Sequence, residues 1–253
     1  MSKPAKPATR PAAKAKVLAR KIAPKAGKNP ARKPAKARHA SAPDPARTAE
    51  IFRRFAASNP EPKGELEHVD AYTLLVAVVL SAQATDAGVN KATRALFKAA
   101  GTPAKMLALG EDAVREHVKT IGLFRNKAKN VIALSEKLIA EHGGEVPADR
   151  DALTELPGVG RKTANVVLNM AFGQKRMAVD THVFRVAHRL GFSSGKNPEA
   201  VEDDLMQAVP DDFLLHAHHW LILHGRYTCL ARKPRCGLCV VAELCTSVDK
   251  ISE

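Results

Sequence analysis

A lysine placed directly after a glycine turn is the residue in this chain best suited to covalent chemistry. It lies in the run Leu156-Pro157-Gly158-Val159-Gly160-Arg161-Lys162-Thr163-Ala164. Two glycines separated by one apolar residue make a tight turn whose backbone can approach a ligand closely. From Arg161 to Phe172 there is no Gly or Pro, and Gly173 follows as a natural helix terminator. A glycine turn that opens a helix leaves free N–H groups, and those form a site for an anion such as phosphate. Arg161 and the positive end of the helix both work against the ammonium form of Lys162. A lysine kept partly neutral can attack a carbonyl carbon and form a Schiff base. Two cations in a first helical turn each oppose the helix dipole by about 0.3–1 kcal/mol. A local rule broken at a turn points to function. Asp180, which follows apolar Ala178-Val179, suits a helix N-cap. A carboxylate held at a helix start stays ionised and can stabilise positive charge or help activate Lys162.

The second group is four cysteines spaced Cys229-x6-Cys236-x2-Cys239-x5-Cys245. Four thiolates within 17 residues suit a four-ligand metal centre, either an iron–sulfur cluster or structural zinc. The spacing lacks the two separated C-x-x-C knuckles of a zinc ribbon, which tilts the choice toward a cluster. Such clustering is unlike a distributed disulfide framework and suits a reducing compartment, so a cytoplasmic protein is expected. Arg232, Lys233 and Arg235 sit between the first two cysteines, either as a solvated face or as charge presented to phosphate.

The elements that must position these groups read as helices. Thr48–Ala57, Ala71–Ala82 capped by Asp70, Ala87–Ala100 capped by Asp86, Glu111–Lys119 and Asn126–Ala140 come first. A short segment from Asp149 or Asp151 leads to the glycine turn. Thr181–Leu190 capped by Asp180, Pro198–Ala208 with Pro at the first helical position, and Phe213–Arg226 follow. No stretch alternates as a strand does between hairpin signals. The fold class expected is all-α.

The formal charge is +14, unevenly placed: residues 1–40 hold 13 Lys or Arg and no acid. The remainder carries 27 basic residues (40 less those 13) against 26 acidic, so the high pI belongs to the tail. Residues 1–44 are Lys/Ala/Pro-rich and are expected to be a disordered basic leader, able to attract phosphate non-specifically. The longest apolar run, Leu74–Leu80, is far short of the roughly 20 residues that span a bilayer. No secretory signal pattern is present and no membrane partner is expected.

The glycine turn with Lys162, then Val179-Asp180-Thr181-His182, then the four cysteines, together resemble endonuclease III, the helix–hairpin–helix DNA glycosylase family with a [4Fe–4S] cluster. The similarity covers about residues 45–250, and three such features in this order are highly specific. It implies two helical domains: a six-helix barrel domain with the hairpin over 64–174, and a cluster domain from 45–63 with 175–253. DNA would lie in the cleft between them. It implies a bifunctional glycosylase and abasic-site lyase acting on oxidised pyrimidines in duplex DNA. Catalysis would fall to Lys162 and Asp180, without a catalytic divalent metal. Cys229, Cys236, Cys239 and Cys245 would hold the cluster. Gly158, Val159, Gly160, Arg161 and His182 would contact DNA. Ser81-Ala82-Gln83-Ala84-Thr85-Asp86 resembles the segment whose glutamine, here Gln83, fills the gap left by a flipped nucleotide. Ile121-Gly122-Leu123-Phe124 resembles a wedge loop with Leu123 entering the base stack. A monomer in the cytoplasm, associated with the nucleoid, is the expected setting.

Three other readings stand beside this one. Adenine-specific relatives usually lack the lysine and carry a further C-terminal domain, which disfavours them. A non-catalytic hairpin module would bind DNA without cutting it, and a metal-dependent nuclease would lose cleavage to chelator. The four histidines from His216 to His224 look like a metal site, but beside Trp220 on a helix they suit packing and capping better.

Overall fold

The computed structural model describes residues 43–251, so the basic tail lies outside the described residues apart from Pro43 and Asp44. Asp44 belongs to the fold: its side chain accepts from the Ala46 N–H and Pro45 takes the first helical position. Helix α1 therefore runs Pro45–Ser58, three residues ahead of where the apolar pattern begins. Eleven α-helices and no strand are present among the described residues.

Helix α2 (Ala71–Leu80) is the central rod. Asp70 and Thr73 cap its start reciprocally: the Thr73 N–H donates to Asp70 Oδ1 at 2.8 Å, and the Asp70 N–H donates to Thr73 Oγ1 at 3.0 Å. Apolar on every side, it is buried on every side, against α3 (Asp86–Ala99), α6 (Phe124–His142) and α8 (Arg161–Phe172). Leu74, Leu75 and Leu80 are fully covered, each stabilising by about 1.5–3 kcal/mol. Helices α4 (Pro103–Leu109) and α5 (Glu111–Val118) pack on α6, and the five-residue α7 (Arg150–Thr154) packs on α8. The remaining helices are α9 (Thr181–Arg189), α10 (Pro198–Ala208) and α11 (Leu214–Tyr227).

Two separate cores result. One is built from residues between Tyr72 and Leu168, with Leu75, Leu96, Met106, Leu134 and Leu153 at its centre. The other joins Ile51, Phe52 and Phe55 of α1 to residues from Met177 to Val241, around Phe192, Trp220 and Leu221. A small third cluster, Leu74, Val78, Val166 and Ala178, bridges them. Seven helices lie within residues 64–174, six of seven residues or more plus the short α7 that opens the hairpin.

Two local readings are corrected. Thr85, not Asp86, caps α3: its Oγ1 accepts the Gly88 N–H at 3.2 Å. Asp86 becomes the first helical residue and pairs with Arg226, 140 positions away. Helix α4, missed in sequence, has its own local signal, Thr102 as cap and Pro103 at the first position.

Candidate active site

The hairpin is α7, a turn over 155–160, and α8. Leu156 and Val159 are buried in the first core, and the Val159 N–H closes the turn on Leu156 O at 3.0 Å. Val159 therefore anchors the turn, and its side chain is withheld from any ligand. Gly158 has φ +81°, and a Cβ there would stand 2.8 Å from Asn130 Nδ2 of α6. Left-handed backbone and close approach both require glycine. Gly160 caps α8 without a side chain, so the amides of Arg161, Lys162 and Thr163 face outward with no side-chain acceptor. That is the anion site the glycine spacing anticipated.

Lys162 is exposed and lines a cleft of about 520 Å³ together with Ser81, Asp86, Met170, His218 and Arg226. Burial, reinforced by the positive charges of His219 and Lys162, pushes the His218 imidazole down to about 3. Asp180 does not line this cleft. It caps α9, its Oδ1 accepting the Val183 N–H at 2.7 Å. Two contacts tie its segment to the lysine helix. Asn165 Nδ2 donates to Met177 O at 2.9 Å, and Val166 packs against Ala178. Val166 is one turn beyond Lys162 on the same helix face. The lysine thus stands on the face of α8 that meets the strand of chain ending at Asp180. His182, two residues on, packs its Cβ where Gly225 of α11 leaves room, 2.8 Å from where a side chain would begin.

Arg161 does not point to solvent alone. Its guanidinium grips Glu202 through two hydrogen bonds of 2.8 and 3.0 Å, which raise its already high pKa. The expectation of a direct phosphate contact from Arg161 meets this competing, buried partner.

Three non-glycine residues adopt left-handed backbone among the described residues: Gln83 (φ 54°), Leu123 (φ 58°) and Lys233 (φ 52°). The first two form one surface feature, since a Cβ on Gly122 would stand 3.6 Å from Gln83 O. Gln83 is exposed, and Leu123 keeps 57% of its surface open at the head of α6. Phe124 turns inward against the first core with Arg125 over its ring.

All four cysteines line a single cavity of about 320 Å³ behind α11. Arg189 Nη1 reaches Cys229 Sγ at 3.5 Å and Leu230 O at 2.6 Å, and His224 Nε2 lies 3.7 Å from Cys239 Sγ. Burial first, and then the neighbouring thiolates, push the Cys239 thiol above its usual range. Such a thiol ionises readily only against a cationic group. No three His, Cys, Asp or Glu side chains among the described residues converge closely enough for a single ion. Four thiols lining one cavity are the donor set an iron–sulfur cluster takes.

Residues 76–211 match the profile of the HhH-GPD superfamily base excision DNA repair protein, and 229–245 that of the iron–sulfur binding domain of endonuclease III. The chain is 55% identical to endonuclease III of Escherichia coli over 206 residues, spanning 81% of this chain and 98% of that protein. The belonging is decided there. This chain is a member of the endonuclease III family. To the Rickettsia conorii endonuclease III it is 57% identical over 195 residues, 77% of this chain and 93% of that one. Among solved structures it is similar to a trapped endonuclease III–DNA covalent intermediate (TM-score 0.73, 45% identity, 78% of this chain, 93% of that chain). A thermostable thymine-DNA glycosylase is also similar, with TM-score 0.69 and 26% identity over 78% of this chain and 93% of that one.

As an endonuclease III the protein is a base excision repair enzyme, a DNA glycosylase with abasic-site lyase activity, and carries a [4Fe–4S] cluster. No described helix is long and apolar enough to cross a membrane. Sequence reading missed the cleft's other polar residues. Arg226 pairs with both Asp86 and Glu65, and Tyr227 also donates to Glu65. Nothing local in the sequence signals ion pairs that span 140 and 161 positions.

Proposed function

We propose that this endonuclease III removes oxidised pyrimidines from duplex DNA and cuts the resulting abasic site through a Schiff base on Lys162. The carrying observation is the position of Lys162: first turn of an uncapped helix, on the face packed against the segment that ends at Asp180. In this reading the α8 amides hold a phosphate beside the damaged nucleotide, which has rotated out of the stack. The Lys162 amine attacks C1′ as the base leaves with the electron pair of the glycosidic bond. Asp180 stabilises the positive charge developing on the sugar and receives the proton lost from the amine. The C1′–O4′ bond then breaks, O4′ taking up a proton, to leave a protonated imine. This activates the C2′–H, whose proton departs as the C3′–O bond breaks with the 3′ phosphate as leaving group, and the strand is cut 3′ to the sugar. That a covalent intermediate was trapped between an endonuclease III and DNA supports the same chemistry here.

Gln83 and Leu123 are the residues proposed to occupy the opened stack. Their strained backbone and shared exposed site support this, since strain at exposed side chains persists where function requires it. Gly158 and Gly160 shape the phosphate grip, Val159 seats the turn from the core, and His182 flanks it. Cys229, Cys236, Cys239 and Cys245 are the proposed cluster ligands; the bound cluster would pin the C-terminal loop and present Arg232, Lys233 and Arg235. The two cores support a division into 64–174, and 45–63 with 175–253. A monomer acting in the cytoplasm on nucleoid DNA fits this role.

The test is reductive trapping. Borohydride with a duplex carrying one thymine glycol should yield a covalent protein–DNA adduct. Lys162→Gln should yield none, and a normal adduct from that variant would end the assignment.

A further inference from the structure

Arg150 and Arg161 are the first residues of α7 and α8, each at the positive end of a helix. One carboxylate faces both. Glu202 lies on α10, 41 positions beyond Arg161, and is only 7% exposed. Arg161 Nε donates to Glu202 Oε2 at 2.8 Å and its Nη2 to Oε1 at 3.0 Å. Arg150 Nη1 stands 3.7 Å from the same Oε1. Asp203 adds a longer contact, 3.5 Å from Arg161 Nη2.

A planar two-bond pairing to a buried carboxylate fixes orientation far more narrowly than a surface pair does. Here it joins both hairpin helices to an element of the second core. It also commits the guanidinium of the first residue of α8, beside the phosphate grip, to a carboxylate. Gly160 gives α8 no capping side chain, so no side-chain hydrogen bond from the cap position fixes the helix start.

We propose that Glu202 is a positioning residue of the active site: through Arg161 and Arg150 it locks the hairpin so that Lys162 meets the sugar, and it withholds Arg161 from the DNA. The effect on rate rests on Lys162 being the nucleophile; the withholding of Arg161 does not.

Two measurements on the full chain test this: the salt dependence of binding to an undamaged duplex, and the trapping rate at saturating abasic-site duplex. Arg161→Gln should leave the slope of log Kd against log salt unchanged, yet slow trapping by about tenfold or more through misplacement of Lys162. Glu202→Gln should steepen the slope by about 0.9, one added phosphate contact, and slow trapping likewise. Glu202→Asp should recover part of the rate. A slope shallower by about 0.9 in Arg161→Gln would mean that Arg161 already holds phosphate, and would overturn the proposal. So would trapping at the wild-type rate in Glu202→Gln. Should Glu202→Gln not fold, the Arg161→Gln slope and rate decide alone. Normal trapping by Lys162→Gln would remove the nucleophile assignment while the two slopes still judge whether Arg161 is withheld.

Discussion

Leu123 offers a test in which stability and activity should separate. Its φ of 58° is a conformation that costs an L side chain about 1–2 kcal/mol. With 57% of the residue exposed, a little under half of a burial worth about 1.5–3 kcal/mol is realised, or about 1 kcal/mol. Leu123→Ala loses that contact and keeps the strain, so it should unfold more easily by about 1 kcal/mol. Leu123→Gly loses the same contact but relieves the strain, against about 0.5–1 kcal/mol of added chain entropy. It should melt near the wild type, and about 2–4 °C above the alanine variant for a protein of this size. Both variants lack the proposed wedge, so on that proposal both should flip a nucleotide poorly. Unstacking costs a few kcal/mol, and losing half of an offset of that size lowers kcat/KM by about tenfold. Thermal melting and single-turnover excision measured on the same preparations read the two effects. If alanine and glycine melt alike, the strain argument is wrong. If both excise at the wild-type rate, Leu123 is surface and nothing more.

Gly158→Ala should be destabilised by about 1–2 kcal/mol for its φ of +81°, and lose affinity for an abasic-site duplex; adding Asn130→Ala to clear the 2.8 Å clash should not restore it, because the dihedral remains. Burial holds His218 down to about 3 and His219 to about 4, against about 6.5 unfolded. Below pH 6.5 the unfolded chain therefore binds the additional protons. Stability should be flat above pH 7 and fall toward pH 4 by up to about 1.4 kcal/mol per pH unit for each histidine. Urea midpoints between pH 7.5 and 4.5 would follow this, and His219→Gln should shallow the fall. Cys239→Ser should give a protein without the visible absorption of an iron–sulfur cluster, with looser packing around Phe55 and His224, followed by protease nicking within 229–245.

What the sequence disclosed and what it hid divide by the range of the interaction. Helix α8 runs from Arg161 to Phe172 as read, and α10 from Pro198 to Ala208, because glycine stops, an asparagine cap and a first-position proline all act within a turn. The cap of α3 was misplaced because Thr85 and Asp86 are both cap-forming residues. Only Arg226, distant in the chain, decides that Asp86 serves an ion pair instead. Val159 looked like part of a ligand loop and is core, since its neighbours Leu156 and Ala164 are buried with it. Lys162 and Asp180 were legible as types, but what tethers their segments, Asn165 to Met177 and Val166 to Ala178, was not.

The three left-handed non-glycine residues carry the argument one step further. At about 1–2 kcal/mol each, they cost about 3–6 kcal/mol of a stability that for natural domains is about 5–15 kcal/mol. Glycine at positions 83, 123 and 233 would remove the cost, as it does at Gly143, Gly173 and Gly191, where helices end in the same conformation. The chain keeps glutamine, leucine and lysine at the other three. Two of these project from adjacent loops at one site and the third from the loop between the first two cysteines. Fold alone favours glycine at such dihedrals, and the DNA contacts proposed for these residues supply a reason for the side chains kept there. A polar amide, an apolar wedge and a cation are the three chemistries needed to fill a gap in duplex DNA, part its bases and hold its backbone.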